Sequence, residues 1–513
     1  MLKATEIPLD DYETWKLIQS GKTIGVFQCE SQLVQSWLRK IRPQNIWELS
    51  AAIALVRPGA LDTGMAHQYV ENKESGHNES FGNDIIDNIF KSTYGVLTYQ
   101  ESLILLGQRL AWQHLPEIER DIKSDELRKA VGKKDQSKIL AIGKEFVDGC
   151  THNKVDPSIA DKLFEIIKSC GRYLFNLSHS MSYAYIGYKL AYLKYHHPLE
   201  FYIASLNYSD DKNNFEDELH NLIQDAKAYG FVIESPNINN KNLEFSGSKA
   251  TGMNIRYGLR FIKYVGSSLN NIINNLPIIK SWHDVLRLSI GGTIRSNAID
   301  ALIWSNAFVD AGLDRSKLFT IINFCRCLTE RESNYLIQEL HRFPDIQDFP
   351  KLISEISSNI ATKRRVNVLN SETIILEKSL LNTSNPIINE QKECFYLGSV
   401  LSECASSKYE AFSTHNCYKL NQIDKDDKID RIITLCVVDD IKTNIIKTGK
   451  NQGKTMAKIT IHDSSGEVKG IPIFSDSYNK YMDILVPGKL VQLQMRYNSK
   501  FGLSIQNVSE ICC

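Results

Sequence analysis

Apolar residues in the N-terminal part of the chain follow the spacing of amphipathic helices. Three stripes recur every three or four residues: Leu33, Trp37, Leu38 and Ile41; Ile85, Ile86, Ile89 and Phe90; Leu163, Ile166 and Ile167. A further stripe begins at about Ser182 and ends near Pro198, a residue that cannot continue a helix. This spacing predicts an α-helical domain over residues 1–209.

Near the C-terminus the pattern changes to an alternation of apolar and polar residues. It occupies residues 432–437, 456–461, 468–474, 490–495 and 503–508, with a helical stretch near Tyr478 to Leu485. Five strands and one helix are the elements of an OB-fold, a small β-barrel that often binds single-stranded nucleic acid. The sequence therefore predicts a multidomain α+β protein, mainly α-helical, that ends in a C-terminal β-barrel OB-fold over residues 429–513.

Two regions, 210–316 and 317–428, separate these domains. In the first, residues 263–268 form a glycine-containing turn before a short apolar stripe, which is typical of a helix-hairpin-helix. Such a turn can bring backbone amides to a DNA phosphate, so Lys263, Gly266 and Ser267 are candidate DNA contacts. A plain helical connector is the alternative. The second region has helical patches without a repeat and predicts a helical linker region.

The composition gives the molecule no net charge that would attract nucleic acid to its whole surface. The 513 residues carry 60 basic and 60 acidic side chains, so nucleic-acid binding must come from local patches. One such patch, Lys447, Lys450 and Lys454, lies in the first long hairpin of the predicted OB-fold and is a candidate DNA contact. The eleven cysteines include no Cys-x-x-Cys pair, which favours reduced thiols over a zinc site. The sequence has neither a leader nor a long apolar run, which predicts a cytoplasmic protein without a membrane span.

The densest candidate chemistry is a basic cluster at residues 125–134. Ser124 is expected to cap a short helix there and Gly132 to end it. Lys129 and Lys133 lie four residues apart, a like-charge spacing that an anion such as a polyphosphate would stabilise. The alternative is that these are helix-surface charges balanced by neighbouring acidic residues such as Asp125 and Asp135.

Five stretches occur in the order and approximate spacing of a known family. Residues 25–31, 54–60, 93–101, 127–134 and 175–180 read GVFQCES, ALVRPGA, TYGVLTYQE, LRKAVGKK and FNLSHS. With these motifs the chain resembles the C-terminal half of the alpha subunits of bacterial DNA polymerase III, the C-family replicative polymerases. The resemblance covers their fingers, helix-hairpin-helix and OB domains and is weakest between about Lys317 and Glu393.

The resemblance implies a component of a DNA-directed DNA polymerase in replication, whose fingers bind an incoming deoxynucleoside triphosphate (dNTP) and whose C-terminal domains bind template DNA. The implied dNTP-binding residues are Arg128, Lys129, Lys133, Lys134, Asn176, Ser178 and His179. Arg57, Gly59, Tyr99 and Gln100 match segments near the nucleotide or the primer end. The chain departs from the family at Leu177, where the family has lysine, and at Tyr264, where it has glycine.

The resemblance also implies that the catalytic metal site lies elsewhere. In the family, three palm-domain aspartates hold two Mg²⁺ ions, and all three precede the segment that resembles residues 7–11. We therefore expect no catalytic residue and no metal ligand in this chain, and a palm-bearing polymerase chain, primer–template DNA and dNTP as its partners. A sliding clamp or other replisome subunits are further candidates. The alternative function is a noncatalytic DNA-binding or assembly module, or a gene fragment, derived from such a polymerase.

Overall fold

The computed structural model describes the whole chain except residues 1, 2, 4, 77–79, 134–135, 210–214, 248–251, 382–385, 403–416, 421–422, 424–430, 446–451, 464–465, 499–501 and 512–513. The chain forms two compact units, Met1–Ser205 and Leu206–Cys513. Helices dominate it, and its largest described sheet is antiparallel and C-terminal. The predicted α+β fold class is therefore confirmed.

The described elements of the first unit are helical. They are α1 (Tyr12–Ser20), α2 (Gln32–Ile41), α3 (Ile46–Leu55), α4 (Pro58–Leu61), α5 (Met65–Ser75), α6 (Asp84–Phe90), α7 (Gln100–Leu106), α8 (Glu117–Lys133), α9 (Gln136–His152), α10 (Pro157–Cys170), α11 (Leu177–His196) and α12 (Pro198–Asn207), which crosses into the second unit. A π-helical turn, Gly107–Ala111, continues α7.

Two hydrophobic cores hold these helices together. The first is built mainly by α1, α2, α3, α5 and α11 around residues such as Leu38, Leu49 and Tyr188. The second is built by α6 to α10 around residues such as Leu127 and Phe146. The stripes read from the sequence supply part of each core, because the apolar face of each helix turns inward.

The predicted ends of the helix in the basic cluster are wrong. Helix α8 begins at Glu117, well before Ser124, and it passes through Gly132 to Lys133. Ser124 is fully buried within the helix and donates its hydroxyl to the carbonyl oxygen of Arg120, at 2.8 Å. Leu127 and Val131 pack into the second core, and this packing outweighs the capping preference of serine and the low helix propensity of glycine.

The second unit begins with helices and a small sheet. Its helices are α13 (Phe215–Ala228), α14 (Gly266–Leu269), α15 (Trp282–Ile290), α16 (Ser296–Trp304), α17 (Arg315–Cys325), α18 (Glu330–Glu339), α19 (Phe349–Asn359), α20 (Lys363–Leu381), α21 (Pro386–Leu397) and α22 (Ser475–Tyr481). The small sheet joins β1 (Val232–Glu234), β2 (Ser246–Gly247) and β3 (Asn254–Arg256) in the order β1-β3-β2.

The C-terminal sheet has an OB-like arrangement. Its strands are β4 (Ile432–Ile445), β5 (Thr455–Asp463), β6 (Gly466–Ile473), β7 (Leu490–Asn498) and β8 (Gly502–Glu510), in the antiparallel order β6-β5-β4-β7-β8. The outer strands β6 and β8 approach each other, and α22 follows β6 and packs on the barrel. Most apolar residues of these strands face one shared core, which explains the period of two. On β4, residues 432–438 are buried on both faces, with Leu435 and Val437 in a separate small cluster.

A buried ionic group fastens α21 to this barrel. His462 on β5 has a 1% exposed side chain, and its Nδ1 lies 2.8 Å from Asp439 on β4. Its Nε2 lies 3.7 Å from the buried carboxylate of Glu390 on α21. Burial disfavours a charged ring, but the hydrogen bond with Asp439 and the charge of Glu390 outweigh burial and raise the pKa of His462 to about 9.

We expect the stability of the second unit to depend on pH through His462. Because its pKa rises from 6.5 to about 9 on folding, its contribution is fully present below pH 6.5 and is lost as the pH rises through about 9. Urea denaturation of wild type and His462→Gln at several pH values between these limits checks this. The variant should show a flatter pH profile, whereas parallel profiles would contradict the assignment. His341→Gln, at an exposed histidine, is the matched control.

Candidate functional site

Two of the sequence motifs meet in the first unit through a single β-bridge. Tyr99 pairs with Phe175 in parallel. The backbone N–H of Phe175 donates to the carbonyl oxygen of Thr98 at 3.1 Å, and that of Gln100 donates to the carbonyl oxygen of Phe175 at 2.9 Å. The segments 93–101 and 175–180, which are far apart in the sequence, are thus neighbours in the structure and are joined by this bridge.

Asn176 is the N-cap of α11 and organises the end of this helix. Its Oδ1 accepts from the hydroxyl of Ser178 at 2.7 Å and from the backbone N–H of His179 at 2.8 Å. Its Nδ2 donates to Oε1 of Glu101 at 3.0 Å, and the backbone N–H of Leu177 donates to Oε2 of the same carboxylate at 2.8 Å. Asn176, Ser178 and His179 are exposed, so the predicted dNTP-binding residues of this segment lie at an accessible helix end.

Arg57 and Gly59 are engaged with the segment that precedes Asn176. Arg57 donates to the carbonyl oxygens of Ala54 and Tyr173, both at 2.8 Å, and its guanidinium lies 4.2 Å from the ring centre of Phe175. Burial lowers the pKa of Arg57. A Cβ at Gly59 would lie 2.6 Å from the Tyr173 ring, so only glycine allows this approach. Both residues position residues 173–175 in this structure.

Tyr99 and Gln100 lie on either side of the bridge. The hydroxyl of the buried Tyr99 lies 3.1 Å from the hydroxyl of Ser50, which in turn lies 2.8 Å from that of Ser180. Burial raises the pKa of Tyr99 to about 12. Gln100 instead reaches the basic cluster, since its Oε1 lies 3.5 Å from Nη1 of Arg128. Tyr99 is therefore part of the packing, and Gln100 links the bridge to α8.

The cations of α8 are paired with an acidic residue of the same helix. Nε and Nη2 of Arg128 donate to Oδ1 of Asp125 at 2.9 and 2.7 Å, and Nζ of Lys129 lies 2.6 Å from Oδ2. The bonds from Lys129 and Arg128 lower the pKa of Asp125. Lys129 remains more than half exposed. The side chain of Lys133 and all of Lys134 and Asp135 lie outside the described residues.

The predicted DNA contacts of the second unit are described only in part. Nζ of Lys263 lies 3.4 Å from a carboxylate oxygen of Glu216 and 4.5 Å from the ring centre of Phe395. Gly266 begins α14, and a Cβ on it would lie 2.7 Å from the carbonyl oxygen of Arg260. Tyr264, where the family has glycine, has a left-handed backbone with φ 70°. The side chain of Ser267 is not described.

In the hairpin patch only Lys454 belongs to the described residues, and its Nζ lies 3.1 Å from Asp476. Lys447 and Lys450 lie outside them. Across the described part of the chain, no group of three His, Cys, Asp or Glu side chains is arranged to hold a metal ion. None of the described helices is long and apolar enough to cross a membrane.

Glu101 is the site residue that the sequence analysis missed. It lies inside the family motif at residues 93–101, but its neighbours in the sequence do not indicate a partner for the acid. Its contact with Asn176 spans 75 positions of the chain, and no local pattern reports a contact of that range.

Comparison with known proteins supports the family resemblance. The model of the bacterial DNA polymerase III alpha subunit finger domain matches residues 1–154. The DNA polymerase III subunit alpha of Aquifex aeolicus is 35% identical over 308 residues, which cover 59% of this chain and 25% of that protein. The subunit of Borreliella burgdorferi is 27% identical over 99% of this chain and 42% of its own length. The subunit of Chlamydia muridarum is 27% identical over 96% of this chain and 37% of its own length.

These matches confirm the resemblance drawn from the motifs. The chain is similar, over almost its whole length, to a part of the alpha subunits of bacterial DNA polymerase III. It spans between 25% and 42% of the length of these three relatives.

Proposed function

We propose that this chain, as a relative of DNA polymerase III alpha subunits, supplies the fingers and the nucleic-acid-binding domains of a DNA-directed DNA polymerase in bacterial replication. The observation that carries the proposal is the bridge between Tyr99 and Phe175. Through it Gln100 contacts both the start of the Asn176 segment and Arg128. These contacts support one site with donors from two distant motifs, as neutralising a triphosphate would require.

The proposed chemistry of the site is charge neutralisation and positioning. Arg128 and Lys129 would exchange the carboxylate of Asp125 for phosphate oxygens. Asp125, Arg128 and Lys129 are each about a third or more exposed, so their ion pairs are worth less than about 1 kcal/mol and give way at low cost. A charge-assisted contact to phosphate is worth more, about 1.5–3 kcal/mol. Lys133, Lys134, Asn176, Ser178 and His179 would complete the dNTP site.

The remaining parts of the reaction are assigned to partners. Palm aspartates on a separate polypeptide would hold Mg²⁺, which stabilises negative charge on the transferring phosphoryl group when bound. Primer–template DNA would contact the helix-hairpin-helix region and the basic hairpin of the OB-like domain. Lys263 and Lys454 support this assignment, since each is paired with a largely exposed acid that a DNA phosphate can replace. We propose a cytoplasmic location for this assembly.

A noncatalytic DNA-binding or assembly module is the second candidate. The observation that favours it is the pairing of Arg128 and Lys129 with Asp125, which solvated charges on one helix face also show. Nucleotide kinetics separate the two functions, because a noncatalytic module makes no contact with dNTP.

The test is dNTP incorporation by the chain assembled with a palm-bearing partner. Arg128→Ala and Lys129→Ala should each lower kcat/KM for dNTP by an amount that corresponds to about 1–3 kcal/mol of transition-state stabilisation. Each removes a charge-assisted phosphate contact. DNA affinity should change little, and the chain alone should incorporate no nucleotide. Lys168→Ala, which removes an exposed lysine paired with Glu165 on α10, is the control and should leave the kinetics unchanged. Unaltered kinetics in both test variants would favour the noncatalytic module.

A further inference from the structure

Glu101 lies beside the proposed dNTP-binding residues and contacts one of them, Asn176, directly. It lies in the first turn of α7, and its two carboxylate oxygens accept from two different donors at the start of α11. One donor is the side chain of Asn176 and the other is the backbone N–H of Leu177. A single acidic side chain therefore ties together the segments that carry two of the family motifs.

The contact fixes which way the Asn176 amide faces. Because an ionised carboxylate only accepts hydrogen bonds, Glu101 requires the Nδ2 end of Asn176 to point toward it. Oδ1 then points toward Ser178 and His179 and caps α11. If the amide were reversed, its oxygen would face the carboxylate and its NH₂ group would face the backbone N–H of His179. Glu101 thereby determines the arrangement of Asn176, Ser178 and His179.

The backbone bridge beside Glu101 also connects the start of α11 to the basic cluster of α8. Tyr99 and Phe175 pair, and Gln100, which lies between Tyr99 and Glu101, contacts Arg128 at 3.5 Å. The start of α11 is therefore held at a set distance from the cations of α8. One triphosphate can be bound from both sides only if this distance is kept.

We infer that Glu101 is a positioning residue for the triphosphate site, acting through Asn176; this rests on the proposed function. It does not contact the phosphates itself, because both of its oxygens are occupied by donors of α11. Its negative charge is tolerated beside an anion site because those donors and the positive end of the α11 dipole compensate it.

The test uses Glu101→Gln in the full chain assembled with a palm-bearing partner. Glutamine has the same shape, but its NH₂ group faces one of the two donors, so the Asn176 amide loses its fixed orientation. KM for dNTP should rise about ten-fold or more, while the affinity for primer–template DNA stays at its wild-type value and Tm falls by at most about 4 °C, as one weakened N-cap would cause. Glu165→Gln, at an exposed acid paired with Lys168, is the matched control and should change neither KM nor Tm.

A double-mutant cycle with Asn176→Ala shows whether Glu101 acts through Asn176. If it does, the KM of the double variant should equal that of Asn176→Ala alone, and additive effects would overturn the inference. A larger fall in Tm together with weaker DNA affinity in Glu101→Gln would overturn it in favour of a general structural role. If Arg128→Ala raises KM and Glu101→Gln does not, this inference alone fails. If Arg128→Ala and Lys129→Ala leave the kinetics unchanged, the proposed function fails with it.

Discussion

Replacing Arg315 with alanine is expected to lower the free energy of unfolding of the second unit by about 3–5 kcal/mol. Nη1 of Arg315 lies 2.5 Å from Oε1 of Glu393, whose side chain is only 1% exposed. The other carboxylate oxygen accepts from the backbone N–H groups of Leu401 and Ser402 at 2.8 and 2.9 Å. Without Arg315 the carboxylate of Glu393 loses its cation while it remains buried, which is costly. Urea denaturation of the full chain measures the loss.

Arg326 offers a matched control next to the same helix, α17. It pairs with Asp300, and their side chains are 28% and 20% exposed. Because water already solvates this pair in part, Arg326→Ala should cost less than about 1 kcal/mol. Equal losses in the two variants would contradict the view that burial of Glu393 decides the effect. Arg315→Lys should recover part of the loss, since it restores the charge but not the geometry of the guanidinium.

The sequence predicted the OB-like domain well because its signal is local. Most strand residues alternate between the barrel core and the opposite face, so apolar residues recur at every second position. Residues 432–438 of β4, which are buried on both faces, are the exception. The packing of α21 on that barrel could not be predicted this way. It depends on contacts such as that of Gln391, whose Nε2 donates to the carbonyl oxygen of Val438 at 3.1 Å, across 47 positions of the chain.

Predictions from the local preferences of single residues were wrong where tertiary packing opposed those preferences. Serine and glycine normally mark helix ends, yet Ser124 and Gly132 lie inside α8 because Leu127 and Val131 bury the same helix in a core. Tyr264 is a second case. Its left-handed backbone, φ 70°, costs a residue with a side chain about 1–2 kcal/mol, which the surrounding turn outweighs. A left-handed turn therefore forms at this position without a glycine.

For the candidate site, the motifs pointed to the segments but not to the contacts between them. The bridge from Tyr99 to Phe175 brings the Asn176 segment next to Gln100, and no periodicity predicts such a pairing. The sequence alone also did not identify which acidic side chains pair with the cations of the site. The sequence offers Asp125 and Asp135 as balancing charges, and in the structure Asp125 binds both Arg128 and Lys129. The pairing of acidic and basic side chains at this site is therefore determined by the folded structure.

The other large effect is expected at Gly149, in α9. Its Cα faces the π-helical turn Gly107–Ala111, and a Cβ there would overlap the carbonyl oxygen of Ala111. That oxygen also accepts from Nδ2 of Asn153 at 3.1 Å, so it is held in place. Because the obstacle is backbone and not a flexible side chain, α9 must shift in the second core. Gly149→Ala should therefore lower the free energy of unfolding of the first unit by about 3 kcal/mol.

Gly132→Ala separates this steric effect from the helix propensity of alanine. Gly132 is exposed within α8, and in the described part of the chain no atom other than those of its chain neighbours and of the adjacent backbone of α8 lies within 4 Å of the position of its Cβ. Alanine there should raise stability by about 0.5–1 kcal/mol, since it restricts the unfolded chain and favours the helix. Thermal denaturation of the two variants should therefore move Tm in opposite directions. A Tm for Gly149→Ala at or above that of wild type would mean that α9 and the π-helical turn are not in the close contact that requires glycine.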